Sequence, residues 1–495
     1  MLWLCAAGFS SPSIENVTGA EWINLVKFDP QYLSTRGGAH SKSFKDVLMD
    51  GLAHDGGLYV PDAFPHCSGE FWESLKGLSY IDMAKRIIEQ FVGDDMPAYD
   101  LRTILNQSYR HQPDYFRDEA ITPLVKLDDN FHILELFHGP TLAFKDIALQ
   151  FLGQVFDYFL AKDNKHITIV GATSGDTGSA AIEAVRHCKN VRIFMMHPKG
   201  RTSDIQRKQM THIKADNVFN IAVEGSFDDC QNLVKDMFND AEFRAFHSLS
   251  AVNSINWARI VAQTVYYAWA AVQLGAPHKQ MRFAVPTGNF GNVYAAYVTK
   301  QMGLPIDQLI IGSNRNDILT RFFETGTMAL TTVEPSYSPS MDIQISSNFE
   351  RFLFDVMDRD CTKLNQFMTD FKTAGTASVS PAELAKAHEV FSAYRCDDAQ
   401  TLDTIKDIYT KYNYLCDPHT AVGVRAALDH GIDADIPTVA LACAHPAKFP
   451  DTVRKAVGFD PERPSILDHL MDAPEYYETL PADAGRIKAF INAQN

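Results

Sequence analysis

The sequence predicts an α/β protein built on a mainly parallel sheet, and a recurring pattern carries that expectation. A β-rich apolar run, a loop of small polar residues and a helical stretch follow one another in that order. The pattern appears as His166–Val170, the loop 171–178 (GATSGDTG) and Ser179–His187. It returns as Met281–Val285, the loop 286–292 (PTGNFGN) and Val293–Gln301, and again as Thr438–Ala442, the loop 443–447 (CAHPA) and a helix through Val457. Val191–Met196 and Gln308–Gly312 read as further strands. Strands alternating with helices imply parallel pairing. In such sheets the loops after the strands line one crevice, where ligands bind. The chemically unusual loops are therefore expected to converge although they lie far apart in sequence.

The chain has 495 residues, which implies two or three packed units. Residues 1–26 read as a disordered, dispensable extension. Their apolar stretch Leu2–Phe9 has no basic residue before it, and Glu15 and Glu21 follow, which is a poor secretory or mitochondrial leader. Residues 27–115 carry mixed helical patterns around the turn Asp55-Gly56-Gly57 and read as a smaller N-terminal domain. Residues 116–495 read as a larger second unit that carries the recurring strand-loop-helix pattern. Within it the pattern turns helical from about 350 to 411, where Ser380-Pro381-Ala382-Glu383 offers an N-cap, a proline at the first helical position and a capping-box glutamate.

Charge and composition exclude several function classes. The formal net charge is −16 with no long Lys/Arg run, which argues against nucleic acid. An anionic substrate must then find positive charge inside a cleft. No apolar run approaches the ~20 residues that span a bilayer. The 8 cysteines form no C-x-x-C pair, so neither a disulfide framework nor a metal site is indicated. The expected setting is a reduced cytoplasm, and the expected state a monomer or homodimer acting on a small molecule.

Three segments carry chemistry. The loop Gly288-Asn289-Phe290-Gly291-Asn292 follows a strand and opens a helix. Its glycines let the backbone approach a ligand, and a helix N-terminus favours an anion. It is neither a nucleotide P-loop nor G-x-G-x-x-G, so it suits a phosphate outside those classes. Alone, it reads equally as a plain strand-to-helix turn. The loop Thr173-Ser174-Gly175-Asp176-Thr177-Gly178 offers amides and the Ser174 and Thr177 hydroxyls to a carboxylate, or merely caps its helix. Lys145 follows the apolar Leu142-Ala143-Phe144 and opens an amphipathic helix from Asp146 through Phe159. A desolvated lysine loses proton affinity and becomes a nucleophile able to form a Schiff base. A lysine, a carboxylate loop and a phosphate loop together are what pyridoxal 5′-phosphate (PLP) chemistry on an amino acid requires.

In that order, the Lys145 motif, the 173–178 loop and the 288–292 loop resemble the fold-type-II PLP enzymes related to tryptophan synthase β. The likeness narrows with 32–37 (YLSTRG), 51–61 (GLAHDGGLYVP), 138–146 (HGPTLAFKD), 171–178, 253–259 (NSINWAR), 286–292, 417–423 (DPHTAVG) and 444–449 (AHPAKF). As a set these are similar to the threonine synthases, in particular the longer class of yeasts and bacteria. The match spans residues 27 to about 460.

The resemblance implies conversion of O-phospho-L-homoserine and water to L-threonine and phosphate, with PLP as cofactor. It implies that Lys145 binds the cofactor and that Gly288 to Asn292 hold its phosphate. Ser174, Gly175 and Thr177 would take the substrate carboxylate, with Asp176 near the cofactor's 3′-oxygen. Asn256 and Arg259 would face the substrate phosphate. His138, Asp417 and His445 stand open between chemistry and loop support. The family commonly has a hydroxyl residue before the Ala-His-Pro motif, facing the pyridine nitrogen; this sequence has Cys443. A thiol is a poorer donor, so Cys443 either tunes that nitrogen or simply packs. Alternative readings are a phospho-amino-acid lyase giving 2-oxobutanoate and ammonia, and a non-catalytic PLP-binding homologue.

Overall fold

Two parallel sheets carry the architecture in the computed structural model, which describes residues 29–173 and 175–494. The expected N-terminal extension lies outside these residues. The larger sheet has six strands in the order Phe391–Arg395, Ile306–Ser313, Met281–Pro286, Thr438–Ala442, Phe131–Glu135 and Leu124–Asp128. All pair in parallel except the last, which is antiparallel to its neighbour. The smaller sheet has five parallel strands in the order Glu478–Pro481, Val218–Glu224, Val191–Pro198, Ile167–Ala172 and Leu249–Ser250. The expected α/β class is present, but the recurring units are divided between two sheets. The 171–178 loop leaves the smaller sheet; the 286–292 and 443–447 loops leave the larger.

Burial explains why these strands were legible. Thr438–Ala442 is buried at every position, as a central parallel strand covered on both faces must be. The helix Lys145–Asp163 begins one residue before the expected start and runs four beyond the expected end. Its buried residues surround most of its circumference, so it is a core helix more than an amphipathic one. Asn164, at φ 51°, closes it in the left-handed conformation that asparagine tolerates.

The stretch from 350 to 411 is chiefly helical, with helices Phe349–Val356, Cys361–Ala374, Pro381–His388 and Asp398–Tyr412. Ser380 and Glu383 form the expected capping box, each side chain accepting from the other's backbone N–H. Two strands inside it were not expected, the short Thr376–Ser378 and Phe391–Arg395. The second is the one that bears on the larger sheet. It adds to the edge of the larger sheet, parallel to Ile306–Ser313. Its five residues sit between strong helix signals, and pairing rather than local pattern makes them a strand.

The N-terminal region contributes a two-stranded ribbon, Tyr32–Ser34 against Tyr59–Pro61, and the helices Tyr80–Val92 and Ala98–Ser108. It has no core of its own. One continuous apolar cluster runs from Tyr32 through Trp257 and Tyr294 to Phe391. Arg351 is fully buried where these parts meet. It donates to the carbonyls of Tyr59 at 2.9 Å and Ile255 at 2.6 Å, and also to Asn348 Oδ1. This one side chain fastens the N-terminal ribbon to the 253–256 segment. Among the described residues no helix is long and apolar enough to cross a membrane.

Candidate active site

The loop before Lys145 is shaped by an internal carboxylate. Asp146 is fully buried and accepts from Thr141 N–H at 2.8 Å and Thr141 Oγ at 2.6 Å. A Cβ on Gly139 would stand 2.5 Å from that carboxylate, so only glycine allows the turn. Leu142, fully buried, takes φ 60°, a strained conformation for a bulky residue. Phe144 N–H donates to the Cys443 carbonyl at 2.8 Å and His445 N–H to the Leu142 carbonyl at 3.1 Å. These bonds join the Lys145 loop to the 443–447 loop. Lys145 thereby points into a cavity of about 370 Å³ between the two sheets, within the size range of cofactor and ligand sites.

The cavity's far wall is the 288–292 loop. Phe290 is buried at φ 62°, its ring held by Phe349 at 4.9 Å and Phe391 at 5.4 Å. Residues 346–348 tie the loop from behind. Ser346 Oγ donates to the Gly288 carbonyl at 2.7 Å, and Asn348 Nδ2 donates to the Asn289 carbonyl at 2.9 Å. With the carbonyls engaged, the loop presents its N–H side, and the helix Gly291–Gln301 starts there with amides that have no acceptor within the helix. Gly288 leaves little room for a side chain: a Cβ would lie 3.1 Å from the Ser340 carbonyl. Asn292, a lining residue, accepts from Tyr267 at 2.8 Å and from Tyr266, while its buried Nδ2 has no partner. This is a cradle suited to a phosphate.

The 173–178 loop forms the opposite wall. Ser174 lies outside the described residues. Thr177 and Thr173 line the cavity. Gly175 does not: its N–H donates to Thr173 Oγ at 3.0 Å. Its φ of 156° and the close Gln206 amide make it a turn residue, with a Cβ reaching 2.6 Å from Gln206 Nε2. The expected carboxylate-binding role of Gly175 is thus not the one its backbone shows, because its amide is already used.

Asp176 is nine-tenths buried or more and sits between two lysines. Its Oδ2 is 3.6 Å from Lys145 Nζ, and its Oδ1 is 2.7 Å from Lys448 Nζ and accepts from Gln206 at 2.9 Å. Lys448 is fully buried and also donates to the Thr141 carbonyl at 2.8 Å. The two cations hold the Asp176 carboxyl far below the usual carboxylate range despite its burial. Burial lowers the proton affinity of Lys145; Lys448 and Arg259 add to this, and Asp176 opposes it. Lys448 and Gln206 were missed in the sequence, where Lys448 sat inside a recognised motif with no chemistry attached. In Lys448→Met, Asp176 pairs with Lys145 alone and one repulsion disappears. The Lys145 amine then holds its proton to higher pH. Reconstitution of the apoprotein with PLP, followed by absorbance, should show its pH midpoint moved upward; an unmoved midpoint would refute this role.

Arg259 projects from the first turn of the helix Trp257–Gln273 into the same cavity. It is 6% exposed, and its buried Nη1 has no partner. Desolvation pushes its guanidinium down to about 10. An unpaired buried cation is costly and calls for an anion. Asn256 is placed differently from expectation. Its side chain caps the helix through Ala258 N–H at 3.0 Å and donates to the Leu48 carbonyl at 2.9 Å, outside the cavity lining. Its polar atoms are used in fixing the segment that aims Arg259.

Cys443 directly follows the strand Thr438–Ala442 and lines the cavity. Its N–H donates to Thr420 Oγ at 3.1 Å, and burial raises the thiol well above its ordinary value, so it is neutral. Asp417 caps the helix Pro418–His430 and accepts from His419 Nδ1 at 2.9 Å. His419 Nε2 accepts from Ser340 N–H at 3.3 Å, which places the ring proton on Nδ1. His445 caps a turn through Ala447 N–H at 3.2 Å, and His138 pairs with Glu135 at 2.7 Å. Asp417, His445 and His138 therefore hold loops.

A buried lysine of lowered proton affinity, a glycine-built loop suited to a phosphate and a second, unpaired cation on one parallel-sheet scaffold fit a PLP-dependent lyase of fold type II. Family models agree along the chain: "Threonine synthase N terminus" over residues 31–109, "Pyridoxal-phosphate dependent enzyme" over 116–444 and "Threonine synthase, C-terminal" over 420–491. The threonine synthase of Pseudomonas aeruginosa is 48% identical over 463 residues, covering 93% of this chain and 98% of its own. The PLP-bound threonine synthase structure from Brucella melitensis superposes with a TM-score of 0.92 at 47% identity, covering 94% of this chain and 99% of that one. The yeast threonine synthase structure gives 0.89 at 40% identity, with the same coverage. The chain belongs to the threonine synthase family.

Proposed function

We propose that the protein converts O-phospho-L-homoserine and water to L-threonine and phosphate, with the following division of labour. Lys145 holds PLP, the 288–292 loop holds the cofactor phosphate, Thr177 faces the substrate carboxylate, and Arg259 faces the substrate phosphate. The carrying observation is the unpaired Arg259 guanidinium in the same cavity as Lys145. The cofactor phosphate already has a cradle, so this cation is left for a second anion. A cofactor of this kind, when bound, supplies a sink for negative charge at the substrate α-carbon.

The chain's residues do the rest. Lys145, the residue that would hold the cofactor, would also take the proton from the substrate α-carbon once its amine is free. It then serves the β- and γ-carbons, where proton loss and gain accompany departure of phosphate. Arg259 compensates the charge gathering on the leaving group. Asp176, kept ionised by Lys448, favours the ammonium form of Lys145, so that the proton taken from substrate stays on the amine for return to it. Water adds at the β-carbon, and a final proton at the α-carbon completes threonine. The seven free cysteines among the described residues support a reduced, cytoplasmic setting, and we place the enzyme there as a monomer or homodimer.

Feeding O-phosphohomoserine to the PLP-loaded protein should give threonine and phosphate in equal amounts. Accumulation of 2-oxobutanoate and ammonia in their place would make it a lyase of the other kind, and no product would make it a binding homologue.

We further assign Cys443 to the pyridine nitrogen. A neutral thiol leaves that nitrogen largely unprotonated, which restrains stray transamination. Cys443→Thr should stay active, and Cys443→Ala should shift the cofactor spectrum and slow turnover. Cys443→Asp should raise by-product formation. If the Ala and Thr variants both match the parent in spectrum and rate, Cys443 only packs.

A further inference from the structure

Behind the catalytic loop lies a separate cavity of about 350 Å³. It shares no lining residue with the active site, but Pro140 and Thr141 of the Lys145 loop form part of its wall. Its polar side carries Glu183, Arg186, Gln209 and His212, and its apolar side Leu467 and Leu470. The polar groups are incompletely paired in a specific way. Gln209 is 5% exposed. Its Nε2 donates to the Thr141 carbonyl at 2.9 Å, which fixes the amide's orientation, and its buried Oε1 has no donor. Arg186 binds Glu183 at 2.8 Å through Nη2, while its buried Nε has no acceptor. One orphan acceptor and one orphan donor thus belong to two residues that line the same cavity.

We propose that this cavity is a binding site for a free α-amino acid with a compact aliphatic side chain. The ammonium group would donate to Gln209 Oε1 and Glu183. The carboxylate would accept from Arg186 Nε, and the side chain would lie on Leu467 and Leu470. A zwitterion satisfies both orphans at once; an amine or an acid alone satisfies one and leaves the other buried and unpaired. Glu183 fits this picture. Burial pushes its carboxyl up to about 7, with Asp146 and Asp114 acting in the same sense and Arg186 and Arg110 against it, and a cation placed beside it would lower it again. The site also reaches the catalytic cavity. Gln209 and Lys448 donate to the same Thr141 carbonyl, and Lys448 pairs with Asp176. What grips Gln209 grips the loop that carries Lys145.

The test is calorimetric titration of the full-length PLP-loaded protein with L-valine and L-leucine, beside isobutylamine and 3-methylbutanoate. At least one amino acid should bind saturably, and the amine and the acid at least about tenfold more weakly, as expected for loss of a charged hydrogen bond. Arg186→Gln should weaken that binding by a similar factor while leaving kcat/KM for O-phosphohomoserine unchanged. Ala473→Trp, which fills the cavity from a half-buried position, should abolish it. Lys145→Ala should retain it, separating this site from the catalytic one. Absence of saturable binding, equal binding of the amine or the acid, survival in Arg186→Gln, or loss in Lys145→Ala would each overturn the proposal. Should Ala473→Trp fail to fold, Arg186→Gln and the ligand series decide it.

Discussion

Replacing Lys145 by alanine should remove the visible absorbance of the cofactor-loaded protein and lower turnover by at least about 10³-fold, within the range for loss of a positioned proton-transfer group. The expectation rests on where the amine sits. Lys145 Nζ is buried in the cavity wall, 3.6 Å from Asp176 and 3.5 Å from Ser340 Oγ. Burial favours the neutral amine, and the neighbouring cations Lys448 and Arg259 push the same way. The free amine is the form that attacks an aldehyde carbon and the form that accepts a proton. Lys448 is the demanding control. It is also buried and also touches Asp176, yet it lies outside the cavity lining and is committed to Asp176 and the Thr141 carbonyl. Borohydride reduction and peptide mapping should therefore label Lys145 and spare Lys448. A label on Lys448 would reverse the two assignments.

The sequence made the strands and the loops after them legible because parallel strands buried on both faces write long apolar runs. Thr438–Ala442 is observed with the bounds read from the sequence. It was silent on pairing, so it could not say that the 171–178 loop and the other two belong to different sheets. Phe391–Arg395 was hidden for the same reason. Lys145 and the 288–292 loop were found as residue types in a telling context, Cys443 and Arg259 only through the resemblance to a family, and all line one cavity. Lys448 and His419 were not found, since each becomes informative only through a partner distant in sequence: Asp176 for the first and Ser340 for the second. Asn256 and Gly175 show the converse. Their motifs drew attention, but a helix cap and a tight turn had already used their polar atoms.

Arg259→Ala should lower kcat/KM for O-phosphohomoserine by about 10- to 150-fold for one lost charged hydrogen bond, and by more if both arms of the fork engage the phosphate. Cofactor affinity should hardly change, because the cofactor phosphate is assigned to the 288–292 loop. The guanidinium forms no hydrogen bond or ion pair among the described residues, and burial alone depresses its proton affinity. A structural arginine would look like Arg351, whose guanidinium is spent on Tyr59, Ile255 and Asn348. The two should therefore respond in opposite ways to removal. Arg351→Ala leaves buried carbonyls unpaired and should lower thermal stability. Arg259→Ala removes an uncompensated buried charge, so the substrate-free protein should melt no lower than the parent. Arg259→Lys restores the charge without the planar fork and should recover part of the loss. Arg259 also repels a proton from Lys145. Its removal should move the pH midpoint of apoprotein reconstitution with PLP upward, since the Lys145 amine then holds its proton to higher pH. Equal losses of substrate and cofactor binding would instead place Arg259 at the cofactor phosphate, and a fall in melting temperature would make it a structural cation.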